Sequence, residues 1–233
     1  MKSVITAISR TPIGSFLGSL ASFKASQLGS IVINNIIDKA NLKNNFIDEV
    51  IMGNVLSSGV GQAPARQAAL LGGLSKHTEC TTINKVCGSG LKAVMLADQI
   101  IRCQDSKMII AGGMESMSQT PHLSYLRKGI KLGAGQLIDS MIYDGLTDAY
   151  DNVHMGQHAE ALNSENKISR QAQDDFAMQS YKRAQSAIKN NLFNDEIVPI
   201  DIKDKKGIVT FKHDEEAGKL NLDKVKNLKP VFD

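Results

Sequence analysis

Apolar positions in the first half of the chain switch repeatedly between a period of two and a helical period. "SVITAI" at 3 to 8 reads as a strand, and from Ala25 to Lys39 the residues Leu28, Ile31, Ile33 and Ile36 recur at roughly helical spacing. "EVIMGNV" from Glu49 is a second β-branched run. Pro64 then stands in the first turn of "PARQAALLGGL", where its missing N–H costs nothing, and "CTTINKV" from Cys80 supplies a third strand. The helix after Cys87 carries Leu91, Val94, Met95 and Ile101 on one side, and "KMIIAGG" from Lys107 closes the series as a fourth strand. This alternation predicts an α/β fold, a mixed, largely parallel sheet with helices on its faces.

From about Met117 the pattern changes. Gly129, Gly133, Gly135, Gly145 and Gly156 punctuate a stretch containing Arg127, Lys128 and Lys131, as in a surface excursion with little regular structure. A helix resumes near Ser169 with a stripe of Ala177, Tyr181, Ala184 and Ile188. "EIVPIDIK" and "GIVTFKH" then read as a hairpin or two short strands. There is no internal repeat and no low-complexity tract.

Composition narrows the classes. With 42% hydrophobic and 22% charged residues, the 233-residue chain can bury an ordinary core. The formal charge of +3 is spread along the chain, which disfavours nucleic acid as a partner. No stretch approaches the roughly 18 apolar residues of a membrane span, and "MKSVITAISRTPIG" is too short and polar for a signal sequence. A cytoplasmic location without membrane contact is expected. Cys80, Cys87 and Cys103 are odd in number and show no C-x-x-C spacing, so reduced thiols are expected and no metal site. Cys80 and Cys103 are assigned to the core.

The chemistry concentrates at "NKVCGSGLKAV", residues 84 to 94. A strand that passes through small residues into a helix places Cys87 at the helix N-terminus, which favours an anion. Gly88, Ser89 and Gly90 leave room for a substrate carbonyl beside the sulfur. From spacing alone, a nucleophile and a buried small hydrophobe both remain open.

Four blocks taken together, "NKVCGSGLKAV", "AGGMESMS" at 111 to 118, "GQAPARQAALLGG" at 61 to 73 and "DGLTDAY…VHMGQHAE" at 144 to 160, resemble the thiolase family in order and separation. The resemblance runs over essentially the whole chain and is closest to the N-terminal half of a biosynthetic-type member; Lys85, Gly88 and His154 favour short-chain substrates. It implies a thiolase-like N-terminal α/β domain at 1–118, incomplete at its last strand, and an inserted loop domain at 119–233 with tetramerisation and CoA-binding segments. On the same resemblance a second thiolase domain is expected to be absent from these residues.

The implied reaction is a reversible Claisen condensation of two acetyl-CoA to acetoacetyl-CoA and CoA, through an acetyl group held on Cys87. The family's G-H-P, C-G-G-G and N-E-A motifs do not occur in the sequence, so the isolated chain is expected to be inactive. A degradative 3-ketoacyl-CoA thiolase, or a catalytically silent half or assembly partner, are the alternatives. The resemblance further implies CoA contacts from Leu146, His154, Met155, Lys219, Leu220, Asn221 and Phe232. Coenzyme A and acetyl-CoA enter as substrates with no permanent cofactor. The partners are CoA thioesters, the missing C-terminal half and, when complete, further copies in a homodimer or homotetramer. Met114 and Met117 are expected to pack beneath the nucleophile and at a subunit contact.

Overall fold

The computed structural model of the protein describes residues 2–42, 46–204, 207–219, 221, 225 and 227–232. Helix α1 (Ala25–Lys39), strand β1 (Glu49–Gly53), helix α2 (Pro64–Leu71), strand β2 (Glu79–Ile83), helix α3 (Ser89–Cys103) and strand β3 (Ile109–Gly113) follow one another as the apolar pattern predicts. The sheet order is β2-β1-β3, parallel throughout, with Val50 opposite Cys80 and Ile110. The central strand is buried on both faces, which explains its unbroken apolar run. Val50 and Met52 meet Ile33 and Ile37 of α1 and Ala65, Ala68 and Ala69 of α2 in one core. Ile51, 1% exposed, points the other way by the strand alternation, toward the layer of α3. Burying Val50, Ile51 and Ile33 stabilises by about 1.5–3 kcal/mol each.

Two expectations fail here. The segment 3–8 forms no strand: Val4 and Ile5 stay 77% and 78% exposed. Residues Ser3–Ser9 line the same cleft, about 480 Å³, as Met108–Ala111 of the β3 side, so the run faces a sheet edge without being hydrogen-bonded to it. A period-two pattern reports which faces are apolar; it does not say that a partner strand is within bonding distance. Helix α3, secondly, does not bury its large apolar side. It turns Ser89, Ala93 and Ala97 to the sheet and leaves Leu91 69% and Met95 49% exposed, because only small side chains allow the close approach described below. Cys103, in the last turn of α3, is consequently exposed, whereas Cys80 is half-buried against the core.

The N-terminal segment is tied down at Arg10 instead. Its backbone bridges Ile197, its Nε donates to Glu196 at 2.6 Å, and its two terminal nitrogens donate to Asp214 at 2.8 and 3.1 Å. The guanidinium also lies 5.0 Å from the Phe193 ring centroid. Burial pushes the Asp214 carboxyl up, but the bonds from Arg10 and Ile13 N–H and the charge of Arg10 outweigh it, and it rests below the usual carboxylate range.

Beyond β3 the chain forms a short ladder of β4 (His122–Leu123) and β5 (Ile138–Asp139), with the predicted irregular excursion between them. Helices α4 (Ser140–Gly145), α5 (Met155–Glu165) and α6 (Arg170–Lys189) follow, each started by a side chain that accepts a backbone N–H: Asp139, His154 and Ser169. Strands β6 (Ile200–Asp204) and β7 (Gly207–Phe211) make the expected hairpin. Among the described residues no helix is long and apolar enough to cross a membrane.

Candidate active site

The peptide leaving β2 makes one tight turn before α3 begins, and Cys87 sits in that turn, exposed. Gly88 N–H donates to Lys85 O and Ser89 N–H to Val86 O, both at 3.1 Å, so the chain reverses within four residues. Val86 takes φ 47°, left-handed. That is a rare conformation for a β-branched side chain and costs about 1–3 kcal/mol, which surrounding contacts must offset.

Glycines bring the turn down onto the sheet. A Cβ on Gly53, at the end of β1, would lie 2.5 Å from Ser89 Cβ; one on Gly113 would lie 3.3 Å from Gly90 Cα. The first turn of α3 therefore rests directly on the ends of β1 and β3. Cys87 opens into a cleft of about 420 Å³ whose walls include Val55, Leu56, Met117, Met141 and Leu146. A mostly apolar cleft holding one thiol suits a small acyl group more than a charged ligand.

Glu115 shapes one wall of this cleft. Its carboxylate accepts from Asn54 Nδ2 and Val55 N–H, each at 2.8 Å, and from Leu56 N–H at 3.3 Å. Burial pushes its pKa up, against the opposing pull of those donors. The residue lay inside a quoted motif, yet nothing in the spacing marked it. The same holds for Gly53 and Val86, whose importance depends on contacts with residues far along the chain.

The residues assigned to CoA binding occupy several places. Leu146 lines the cleft. Met155 N–H donates to Leu146 O at 2.8 Å and Thr147 bridges His154, which fastens the start of α5 to that wall. His154 itself caps α5, its Nδ1 accepting from Gly156 N–H at 3.0 Å. Its ring stacks on Phe232, centroids 4.9 Å apart. Neither His154 nor Met155 lines the cleft around Cys87. Lys219 stands apart from these, paired with Glu216 at 2.8 Å and bonded to Ser15. Asn221 is exposed, and Leu220 lies outside the described residues. Met114 is buried in the core and also reaches the cleft, while Met117 is 41% exposed at its wall.

Asp148, Asp151 and His158 place ligand atoms within 4.8 Å of one another. The Asp148 carboxylate is already engaged by the N–H groups of Asp151 and Tyr150, which hold it below the usual carboxylate range.

Comparison with known proteins follows the same lines as the geometry. The family described as "Thiolase, N-terminal domain" matches residues 3–233. An acetyl-CoA acetyltransferase of Yarrowia lipolytica is 48% identical over 98% of this chain and 57% of its own length. That of Cupriavidus necator is 48% identical over 99% of this chain and 59% of its own, and a mitochondrial one of Bos taurus is 46% identical over 98% and 54%. A crystal structure of Acat5 thiolase from Ascaris suum in complex with coenzyme A superimposes with TM-score 0.90 at 38% identity, covering 96% of this chain and 57% of the other. The chain thus spans little more than half the length of the relatives it matches.

Proposed function

Since the chain belongs to the thiolase family, we propose that it supplies the nucleophilic half of an acyltransferase acting on short CoA thioesters, with Cys87 as the acyl acceptor. The observation that carries this reading is the placement of one exposed thiol at the start of α3, inside an apolar cleft. Its sulfur attacks the thioester carbonyl carbon and forms a new C–S bond; the C–S bond to CoA breaks, and the thiol proton ends on the departing CoA sulfur. The acetyl group is then an ester of Cys87. A second acetyl-CoA, deprotonated at its methyl carbon, forms a C–C bond to that acetyl carbonyl and expels the Cys87 thiolate, giving acetoacetyl-CoA.

The family resemblance assigns the backbone N–H of Cys87 to the developing oxyanion. It assigns the base to residues beyond this chain's length. Leu146, held to Met155 by a backbone bond while its neighbour Thr147 bridges His154, is suited to guide the pantetheine arm toward the thiol, with the His154–Phe232 stack beside that turn. Lys219 and Asn221 are proposed at the nucleotide end; as Lys219 is already paired with Glu216, its contribution there is weak.

The test uses residues 1–233 with acetyl-CoA, followed by peptide mass spectrometry. Slow acetyl transfer to Cys87 in preference to Cys103, without multiple turnover in acetoacetyl-CoA thiolysis, is the expected result. Both thiols are exposed, so equal acetylation of Cys103 would remove the special role of Cys87. Thiolytic turnover that disappears in Cys87→Ala would place the base inside this chain and overturn its assignment elsewhere.

A further inference from the structure

Residue 86 determines where the next side chain points, and both of its backbone polar groups are held by side chains, the carbonyl also by the Ser89 N–H at 3.1 Å. Asn84 Oδ1 accepts from Val86 N–H at 2.8 Å. Ser89 Oγ donates to Val86 O at 2.6 Å and accepts from Lys85 N–H at 2.8 Å. Ser89 is 4% exposed and pressed against Gly53, so its hydroxyl has a fixed origin. Between these two grips Val86 adopts φ 47°, a conformation that its β-branched side chain resists. A residue held where it would not rest by itself identifies the groups that hold it.

We infer that Ser89, assisted by Asn84, is a positioning residue that locks Val86 left-handed and thereby presents the Cys87 thiol at the start of α3. The inference rests on the reading of Cys87 as nucleophile, but concerns how the turn is held, not the transfer itself; Val86 and Ser89 line the same cleft. Freed of the Ser89 hydroxyl, with only the Ser89 N–H still on Val86 O at 3.1 Å, Val86 relaxes toward negative φ and carries the Cys87 sulfur away from its place in the cleft at the start of α3. Glycine at 86 adopts positive φ without strain and removes the need for the grip.

The experiment measures iodoacetamide labelling of Cys87 relative to Cys103 in residues 1–233 at a temperature where each variant is folded by circular dichroism. Cys103, exposed at the far end of the same helix, controls for reagent and folded fraction. Ser89→Ala should lower the Cys87 to Cys103 ratio about fivefold, the size expected for losing one or two hydrogen bonds. Adding Val86→Gly should bring the ratio back to within about twofold of the Val86→Gly single variant. A ratio within about twofold of the parent in a folded Ser89→Ala, or no recovery with glycine, overturns the proposal. Should Ser89→Ala not fold, Asn84→Ala, whose side chain is exposed, must lower the ratio about threefold and be rescued in the same way. Failure of acetyl-CoA to acylate the parent, with the labelling pattern as expected, would sink the acyltransferase reading and leave this one standing.

Discussion

Gly53→Ala tests the close approach on which the site depends. A methyl group there would meet Ser89 Cβ at 2.5 Å, Ser89 C at 2.7 Å and Gly90 N at 2.9 Å. Ordinary carbon contacts lie near 3.5–4.0 Å, so about 1 Å must be found. Two of the three atoms are backbone at the start of α3, and no rotamer change relieves them. Nor can β1 retreat, because it is bonded on both sides, to β2 and to β3. Overpacking costs about 1–3 kcal/mol, and with rigid backbone on both sides the upper end, about 3 kcal/mol, applies. In a chain of this size that lowers Tm by about 6–12 °C. Gly112→Ala is the control: in the adjacent strand, the nearest neighbour of its added methyl is Met52 Sδ at 3.9 Å, an ordinary contact. It should leave Tm unchanged or raise it by a few degrees, since alanine orders a strand at less entropic cost. Thermal melts followed by far-UV circular dichroism compare the two. A Gly53→Ala melt within about 2 °C of the parent, or an equal fall in Gly112→Ala, would refute the packing argument.

Arg10→Met should cost about 2 kcal/mol at neutral pH, because charge-assisted hydrogen bonds are lost and Asp214 is left without its cation. Asp214 has a depressed folded pKa, so its contribution is fully present above its unfolded value near 3.9 and is lost as pH falls through the folded one. The Arg10→Met stability curve should therefore be flatter on that acid limb, and parallel curves would exclude the pairing as its source. Thiol titration with Ellman's reagent should find Cys87 and Cys103 fast and Cys80 slow until the chain is unfolded; burial pushes the Cys80 thiol up against a smaller opposing pull from Arg66. Three equally fast thiols would contradict the half-buried placement of Cys80.

What was legible in the sequence is whatever a local pattern determines. Helix α1 spans the residues its apolar spacing marks, and Pro64 opens α2 as its missing N–H suggests. The turn into α3 could be located from "CGSG" because a tight reversal needs small residues. What failed depends on partners distant in sequence. The run Ser3–Ile8 has the composition of a strand but no partner strand among the described residues. On α3 the large side chains suggested the buried face, while the sheet selected the alanines, since glycines in β1 and β3 draw the helix too close for leucine. Cys103 was misplaced for the same reason. The Val86 conformation and the Glu115 bonds to residues 54–56 arise from three-dimensional contacts that spacing does not encode.

The Arg10 grip also has a consequence for the order in which the protein is made. Arg10 leaves the ribosome early, but Asp214 follows it by 204 positions. At roughly 5–20 residues per second, Arg10 waits about 10–40 s for that carboxylate to be synthesised. Strands β1, β2 and β3 are complete by Gly113, so the sheet and its apolar core can assemble during that interval. The Arg10 fastening is thus a late one, although Ser3 and Ser9 meet partners made much earlier, Asp98 at 2.6 Å and Asn35 at 2.8 Å, and a pause in translation before residue 214 would lengthen the period in which Arg10 lacks that carboxylate.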